Sequence, residues 1–180
     1  MNPFYTHQEV LNKILESFDY SKSVHCLEFG SGEGSSSIFY KFAKSYSNLS
    51  VDCFEHEEDW MDNMSKKYKL ENYNFNLVNW SNINYDELKI KKYDLIFVDQ
   101  GNWNARIETI DKLMNYSKYI ILHDYCYYNG FTPEIGYNPD SNYNNFGKGS
   151  FFEKYNEEFS ISSFTDLYPP TLIFKSKKLF

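Results

Sequence analysis

Val24-His25-Cys26-Leu27-Glu28-Phe29 runs directly into Gly30-Ser31-Gly32-Glu33-Gly34, an apolar segment that breaks on three alternating glycines. A short β-branched and apolar run ending in a glycine cluster is the pattern of a buried strand that turns sharply into a helix. Without Cβ atoms such a turn can adopt positive φ and let a ligand lie against the main chain. A dinucleotide fingerprint would place glycines at 30, 32 and 35, but Ser35 stands at the third position, so the last glycine falls one residue early. An acidic residue, Glu28, precedes the first glycine by two positions, giving E-x-G-x-G-x-G.

Around this turn the chain alternates apolar and helical segments from Val24 to His123, the signature of a parallel sheet with crossover helices. Thr6 to Phe18 carries Val10, Leu11, Ile14, Leu15 and Phe18 at helical spacing, an amphipathic entry helix within 1–22. Strands are expected at Val24–Phe29, Ser50–Glu55, Tyr73–Val78, Tyr93–Val98 and Tyr119–Leu122. Helices are expected from about Ser35 to Ser45, Glu58 to Lys69 and Asn104 to Asn115. A Gly/Asn/Pro/Tyr segment, 127–150, has no periodicity, and a loop of that length reads as a substrate-binding loop or lid. Strands Phe159–Phe164 and Thr171–Lys175, separated by turn residues including Pro169-Pro170, close the chain as a hairpin. The 180 residues read as one domain, with no repeat and no low-complexity tract.

The formal net charge is −7, and no cationic run exceeds short pairs such as Lys91-Lys92, which argues against extended nucleic acid as a partner. Cys26, Cys53 and Cys126 form no CxxC pair, as expected of a reduced, intracellular protein. A polar stretch from Met1 to Glu9 and the lack of an apolar run of spanning length predict a cytoplasmic protein with no membrane partner. Self-association to a homodimer stays open.

Several polar residues fall at strand ends, where ligands of open α/β sheets sit. Glu55 ends the second strand and can accept hydrogen bonds from both ribose hydroxyls of an adenosine; its alternative is a solvated charge in the run Glu55, Glu57, Glu58, Asp59. Glu28, near the end of a central strand, needs a partner if buried. A ligand ammonium or a lysine such as Lys41 or Lys44 would serve. Asp99 follows the fourth strand, and His123 and Asp124 follow the fifth. Asp99 could instead anchor the loop 100–104 through an Asx-turn, and His123 could be a structural histidine.

The glycine spacing with its preceding glutamate resembles motif I of the class I S-adenosylmethionine-dependent methyltransferases. Val98-Asp99-Gln100-Gly101 with Arg106, and Leu122-His123-Asp124, resemble the FVDG…R and LHD segments of small-molecule O-methyltransferases in that superfamily. The resemblance runs from Val24 to Tyr125 and more loosely through the terminal hairpin. It implies an α/β fold, a doubly wound, mostly parallel seven-stranded sheet with helices on both faces and a C-terminal antiparallel hairpin. It also implies S-adenosyl-L-methionine as cofactor, held by Glu28, Gly30, Ser31, Gly32, Gly34, Glu55, Asn79, Trp80 and Asp99. Within that set the methionine ammonium would pair with Glu28, Asn79 or Ser81 would bond the adenine amine, and Trp80 would stack on the ring or belong to the core.

The implied reaction is methyl transfer to a hydroxyl of a small polar acceptor such as a sugar or nucleotide-sugar. Asp99, His123 and Asp124 are the catalytic candidates, His123 acting as base with Asp124 orienting it. Arg106 and Tyr125 are the substrate-binding candidates; Arg106 would meet a phosphate or carboxylate, or else pair with Glu108 or Asp111. Metal-dependent catechol-type relatives ligate a cation through an aspartate after strand four and an Asp-Asn pair after strand five. Here Asp99 and Asp124 match the aspartates and Tyr125 replaces the asparagine; oxygen ligands would suit Mg²⁺, and His123 would admit Mn²⁺. Competing readings are a nicotinamide oxidoreductase, opposed by the glycine spacing, and a non-catalytic or nucleic-acid-directed member of the fold. No Asn/Asp-Pro-Pro-Tyr/Phe tetrapeptide follows strand four.

Overall fold

In a computed structural model, which describes residues 6–101, 103–124, 154–164 and 171–178, the alternation of segments becomes one seven-stranded sheet of order β3-β2-β1-β4-β5-β7-β6. The strands are β1 (Val24–Phe29), β2 (Leu49–Glu55), β3 (Tyr73–Leu77), β4 (Tyr93–Val98), β5 (Ser117–His123), β6 (Phe159–Phe164) and β7 (Thr171–Ser176). β1 to β5 pair in parallel, while β7 runs antiparallel to both β5 and β6, as the doubly wound expectation requires. The helices are α1 (Gln8–Glu16), α2 (Glu33–Ser45), α3 (Glu58–Lys67), α4 (Tyr85–Leu88) and α5 (Trp103–Leu113). No helix among the described residues is long and apolar enough to cross a membrane.

Alternating strand side chains build two cores, one on each face of the sheet. On one face Cys26, Val51, Leu95 and Phe97 pack against Val10, Leu11, Ile14 and Leu15 of α1, Phe39 and Phe42 of α2, and Met64 of α3. On the other, Leu27, Phe29, Ile96, Val98, Ile120 and Leu122 pack with Trp80, Tyr85, Ile110 and Leu113. Because β4 is covered on both sides, Leu95 to Val98 is one unbroken apolar run, all four residues being fully buried.

The expected strand positions hold to within two residues, but two features differ from the reading of the sequence. α2 begins at Glu33 and draws Gly34 into its first turn, so the glycine motif straddles the helix start. The β3–β4 connection contains a 3₁₀ turn at Trp80–Asn82 and the four-residue α4, both too short for a periodicity to betray. α4 is fixed by tertiary contact, its buried Tyr85 hydroxyl lying 2.8 Å from Thr109 Oγ1 of α5.

Crossovers from β1 lead outward to β2 and β3, and the chain then returns to β4 on the other side of β1. The carboxyl ends of β1 and β4 therefore flank the topological switch point, where the crevice of such sheets opens.

Candidate functional site

Gly30 is the tightest point of the crevice. Its φ is +87°, and a Cβ there would stand 2.6 Å from the Asp99 carbonyl oxygen and 2.7 Å from its carbon. No side chain fits, so glycine lets the β1 turn press against the end of β4. Two backbone bonds hold the turn in place, Gly30 N–H to Phe54 O at 2.9 Å and Asp99 N–H to Phe29 O at 2.8 Å.

Ser31 and Glu55 tie the glycine turn to β2. Glu55 Oε2 accepts from the Ser31 backbone N–H and hydroxyl, both at 2.9 Å, and Oε1 accepts from the backbone N–H groups of His56 and Glu57 at 2.7 and 3.1 Å. The His56 ring Nδ1 adds a contact at 2.9 Å, so Glu55 is 5 % exposed and accepts throughout. It is not the solvated charge of an acidic run. The indole N–H of Trp60 donates to the Ser31 carbonyl at 2.8 Å and pins the turn from α3. Gly32 occupies the N-cap position of α2, and the Gly34 carbonyl accepts from Gln8 Nε2 of the α1 side at 3.0 Å.

Glu28 lies elsewhere than the cofactor reading places it. Its side chain is wholly buried on the α2 face, where Oε1 accepts from the hydroxyls of Ser35 at 2.6 Å and Ser36 at 2.8 Å, and Oε2 accepts from the Tyr73 hydroxyl. The structure corrects both expected partners, ligand ammonium and lysine, because three protein hydroxyls already satisfy the group. Burial pushes its pKa up to about 7, with the bonds from Ser35, Tyr73 and Ser36 pulling the other way. Glu28 thus joins α2 to β1 and β3 beneath the crevice.

Asn79 caps the 3₁₀ turn, its Oδ1 accepting from Ser81 N–H at 3.0 Å. Trp80 belongs to the second core, the alternative its sequence context left open, with its ring centroid 5.4 Å from that of His56. Its indole N–H is buried without a partner, as is the Gln100 amide nitrogen.

The ends of β4 and β5 converge on Asp99. Its Oδ2 lies 3.1 Å from His123 Nδ1 and its Oδ1 lies 3.2 Å from Arg106 NH2. Burial pushes the Asp99 carboxyl up, but His123 and then Arg106 outweigh it, and the pKa settles below its ordinary value. The orienting partner of His123 is therefore Asp99 rather than Asp124. Arg106 is 6 % exposed and also donates to the carbonyls of Gln100, His123 (2.8 Å) and Asp124 (3.4 Å). Its guanidinium thus braces the ends of β4 and β5, and neither Glu108 nor Asp111, the alternative partners, pairs with it. Asp124 itself has φ +58°, a left-handed conformation that aspartate tolerates, and one buried carboxyl oxygen without a partner. Burial raises its pKa to about 6, against the pull of Arg106 and His123. Tyr125 and the 127–150 loop lie outside the described residues.

Two residues unforeseen from the sequence complete the cluster. Thr6 Oγ1 sits 3.0 Å from His123 Nε2, so both ring nitrogens of His123 are engaged. His7 stands edge-on to His123 at 4.3 Å between centroids and packs tilted against Phe97 at 4.9 Å. Burial, then the neighbouring His123, holds the His7 pKa down to about 3 and keeps the ring neutral. His7 occupies the N-cap position of α1 yet caps nothing with its side chain. No local motif marks it, because its neighbours in the fold, Phe97 and His123, come from β4 and β5, far along the chain.

His7, Asp99 and His123 each bring one metal-ligating atom to within 4.8 Å of the others. This is the group of that kind among the described residues, and Asp124 is not part of it. This group shares Asp99 with the expected Asp99–Asp124 pair and brings two imidazoles beside it.

No protein-family model matches the chain, and no curated protein matches it. Solved structures do. An O-methyltransferase family protein from Burkholderia thailandensis is 10 % identical with a TM-score of 0.62, over 96 % of this chain and 56 % of that one. The CurJ carbon methyltransferase is 11 % identical with a TM-score of 0.67, over 95 % of this chain and 53 % of that one. The N-terminal domain of EvdMO1 with SAH (S-adenosylhomocysteine) bound is 10 % identical with a TM-score of 0.60, over 98 % of this chain and 84 % of that domain. The chain spans just over half the length of the first two. Strand order, the terminal antiparallel hairpin and these likenesses agree on one conclusion: the chain has the Rossmann-like fold of the class I methyltransferases.

Proposed function

We propose that the chain is an S-adenosylmethionine-dependent methyltransferase acting on a hydroxyl of a small polar acceptor. The observation that carries this reading is the convergence of Gly30, Asp99 and His123 at the ends of β1, β4 and β5, beside the switch point of the sheet. In the proposed complex the methionine end lies over residues 30–34 at the start of α2, whose unpaired N–H groups suit a carboxylate. The ribose meets Glu55 by taking the place of the Ser31 hydroxyl or the His56 ring.

Methyl transfer from a sulfonium is an in-line displacement, so the first task of the protein is alignment. An acceptor hydroxyl must also lose its proton. His123, oriented by Asp99, is positioned to receive it, with Thr6 Oγ1 marking where a hydroxyl meets the ring. The acceptor hydroxyl would replace that of Thr6. A sugar or nucleotide-sugar stays within this reading, but its phosphate would have to find a cation other than Arg106.

The test is transfer of labelled methyl from S-adenosylmethionine to a panel of sugars, nucleotide-sugars and catechols. His123→Ala should lower turnover by about 10²-fold or more while leaving SAH affinity unchanged. Full activity in both His123→Ala and Asp99→Ala would overturn the assignment of the cluster, and binding of NAD in place of SAH would overturn the reading altogether.

A further inference from the structure

We propose that His7, Asp99 and His123 form a site for one divalent first-row transition cation at the carboxyl edge of β4 and β5. As a cation site it stands on geometry alone; that the cation would then bind and acidify the acceptor hydroxyl rests on the methyltransferase reading.

The first observation is spacing. The three ligating atoms lie within 4.8 Å of one another. Ligands bonded at about 2.0–2.2 Å to one tetrahedral ion stand about 3.4 Å apart, so closure asks the outermost ligand atom to move by at most about 1.4 Å, within reach of a side-chain rotation. Asp99 Oδ2 and His123 Nδ1, at 3.1 Å, already have the separation of neighbouring ligands around one ion.

An independent observation comes from His7. Its side chain is 2 % exposed, yet neither ring nitrogen has a hydrogen-bond partner. Leaving a buried polar atom unsatisfied costs about 1–3 kcal/mol, and native interiors rarely tolerate it. A ring needed only to pack against Phe97 would be better as phenylalanine. An imidazole with a lone pair turned toward a carboxylate and a second imidazole is what a cation would use.

The surroundings suit the role. Bound to a cation through Nδ1, His123 would carry its proton on Nε2 and donate it to Thr6 Oγ1, the outer hydrogen bond that fixes the tautomer of a ligating histidine, so that in the loaded site the cation takes over from His123 the activation of the acceptor hydroxyl. Arg106 holds Asp99 Oδ1 at 3.2 Å and so turns Oδ2 toward the site. Two imidazoles and one carboxylate favour Fe²⁺, Co²⁺ or Zn²⁺ over Mg²⁺, which prefers an all-oxygen shell. Three protein ligands leave coordination positions open, as in catalytic rather than structural sites.

Chelator-stripped protein titrated with Co²⁺ and followed by visible absorption tests this directly. One Co²⁺ per chain is expected, displaced by Zn²⁺ and unaffected by Mg²⁺. His7→Phe, which keeps a ring against Phe97, and His7→Gln should each weaken Co²⁺ binding by about 100-fold or more while circular dichroism shows the native fold. The absence of bound Co²⁺ in the wild type, or equal affinity in a folded His7 variant, would overturn the site. Methyl transfer sustained in chelator by a chain that binds no Co²⁺ removes this inference and keeps the methyltransferase reading. Co²⁺ binding that depends on His7 in a chain that transfers no methyl does the reverse.

Discussion

Glu28 shows how one residue can be conspicuous in sequence and yet do something else in the fold. An acidic side chain before the glycine turn invites a ligand, but this one is wholly buried under the hydroxyls of Ser35, Ser36 and Tyr73. Its pKa rises from 4.5 to about 7, so the native state binds a proton more tightly than the unfolded chain. The stability this group contributes is fully present below pH 4.5 and is lost as pH rises through 7, a swing of about 3 kcal/mol. Glu28→Gln stays neutral throughout and should abolish that swing. Urea denaturation of both proteins at pH 5 and pH 8 checks it, because subtracting the two curves cancels titrations common to both, such as those of Asp124 and His7. An unchanged difference between the two pH values would show that the buried carboxyl carries no such linkage. The positions of Gly30, Asp99 and His123 at strand ends were legible, because the apolar runs that precede them mark where β1, β4 and β5 stop. His7 and Thr6 were not, since their partner His123 stands far along the chain at the end of β5, and the pairing of Arg106 with Asp99 depends on how α5 packs back over the strand ends.

At the scale of elements, α1 has a role that its amphipathic pattern does not reveal. Val10, Leu11, Ile14 and Leu15 dock it on the sheet, as the spacing predicts, and Gln8 reaches across to the Gly34 carbonyl in the first turn of α2. The same docking places Thr6 and His7, just ahead of the helix, against His123. α1 is therefore a buttress for the site as well as a cover for the core. Leu11 is fully buried, and Leu11→Ala should cost about 2–5 kcal/mol of stability. A loss under about 1 kcal/mol in equilibrium denaturation would mean that α1 is only loosely held and cannot fix His7. The helices α2, α3 and α5 were legible as crossovers from their place between successive strands, although α3 buries only Met64. α4 escaped because four residues make barely one turn, and the contact of Tyr85 with Thr109 stabilises it from outside.

The site belongs to the molecule as a whole, since its parts come from both sides of the switch point. Gly30, Ser31 and Glu55 sit on the β1–β2 side, Asp99, Arg106 and His123 on the β4–β5 side, and Thr6 and His7 on the entry segment. That division explains why the doubly wound order was readable while the site's wiring was not: alternating strands and helices constrain topology strongly, but pairwise contacts between strand ends are set by twist and register. It also yields a global forecast. A ligand that bridges the two halves binds the native state and not the unfolded chain, so it must raise the unfolding free energy. Free SAH at a hundredfold excess over its Kd should add about 2.7 kcal/mol, a rise in Tm of roughly 5–10 °C for a chain of this size. NAD at the same concentration should leave Tm unchanged, because Ser35 stands where a dinucleotide turn needs its third glycine. Glu55→Ala removes the carboxylate that ties Ser31 to β2 and is read as the ribose acceptor, so it should cut the SAH-induced shift to less than half. A thermal-unfolding series with both ligands decides the matter. A shift produced by NAD and not by SAH would assign the crevice to a nicotinamide cofactor, and an undiminished SAH shift in Glu55→Ala would place the ribose elsewhere in the crevice.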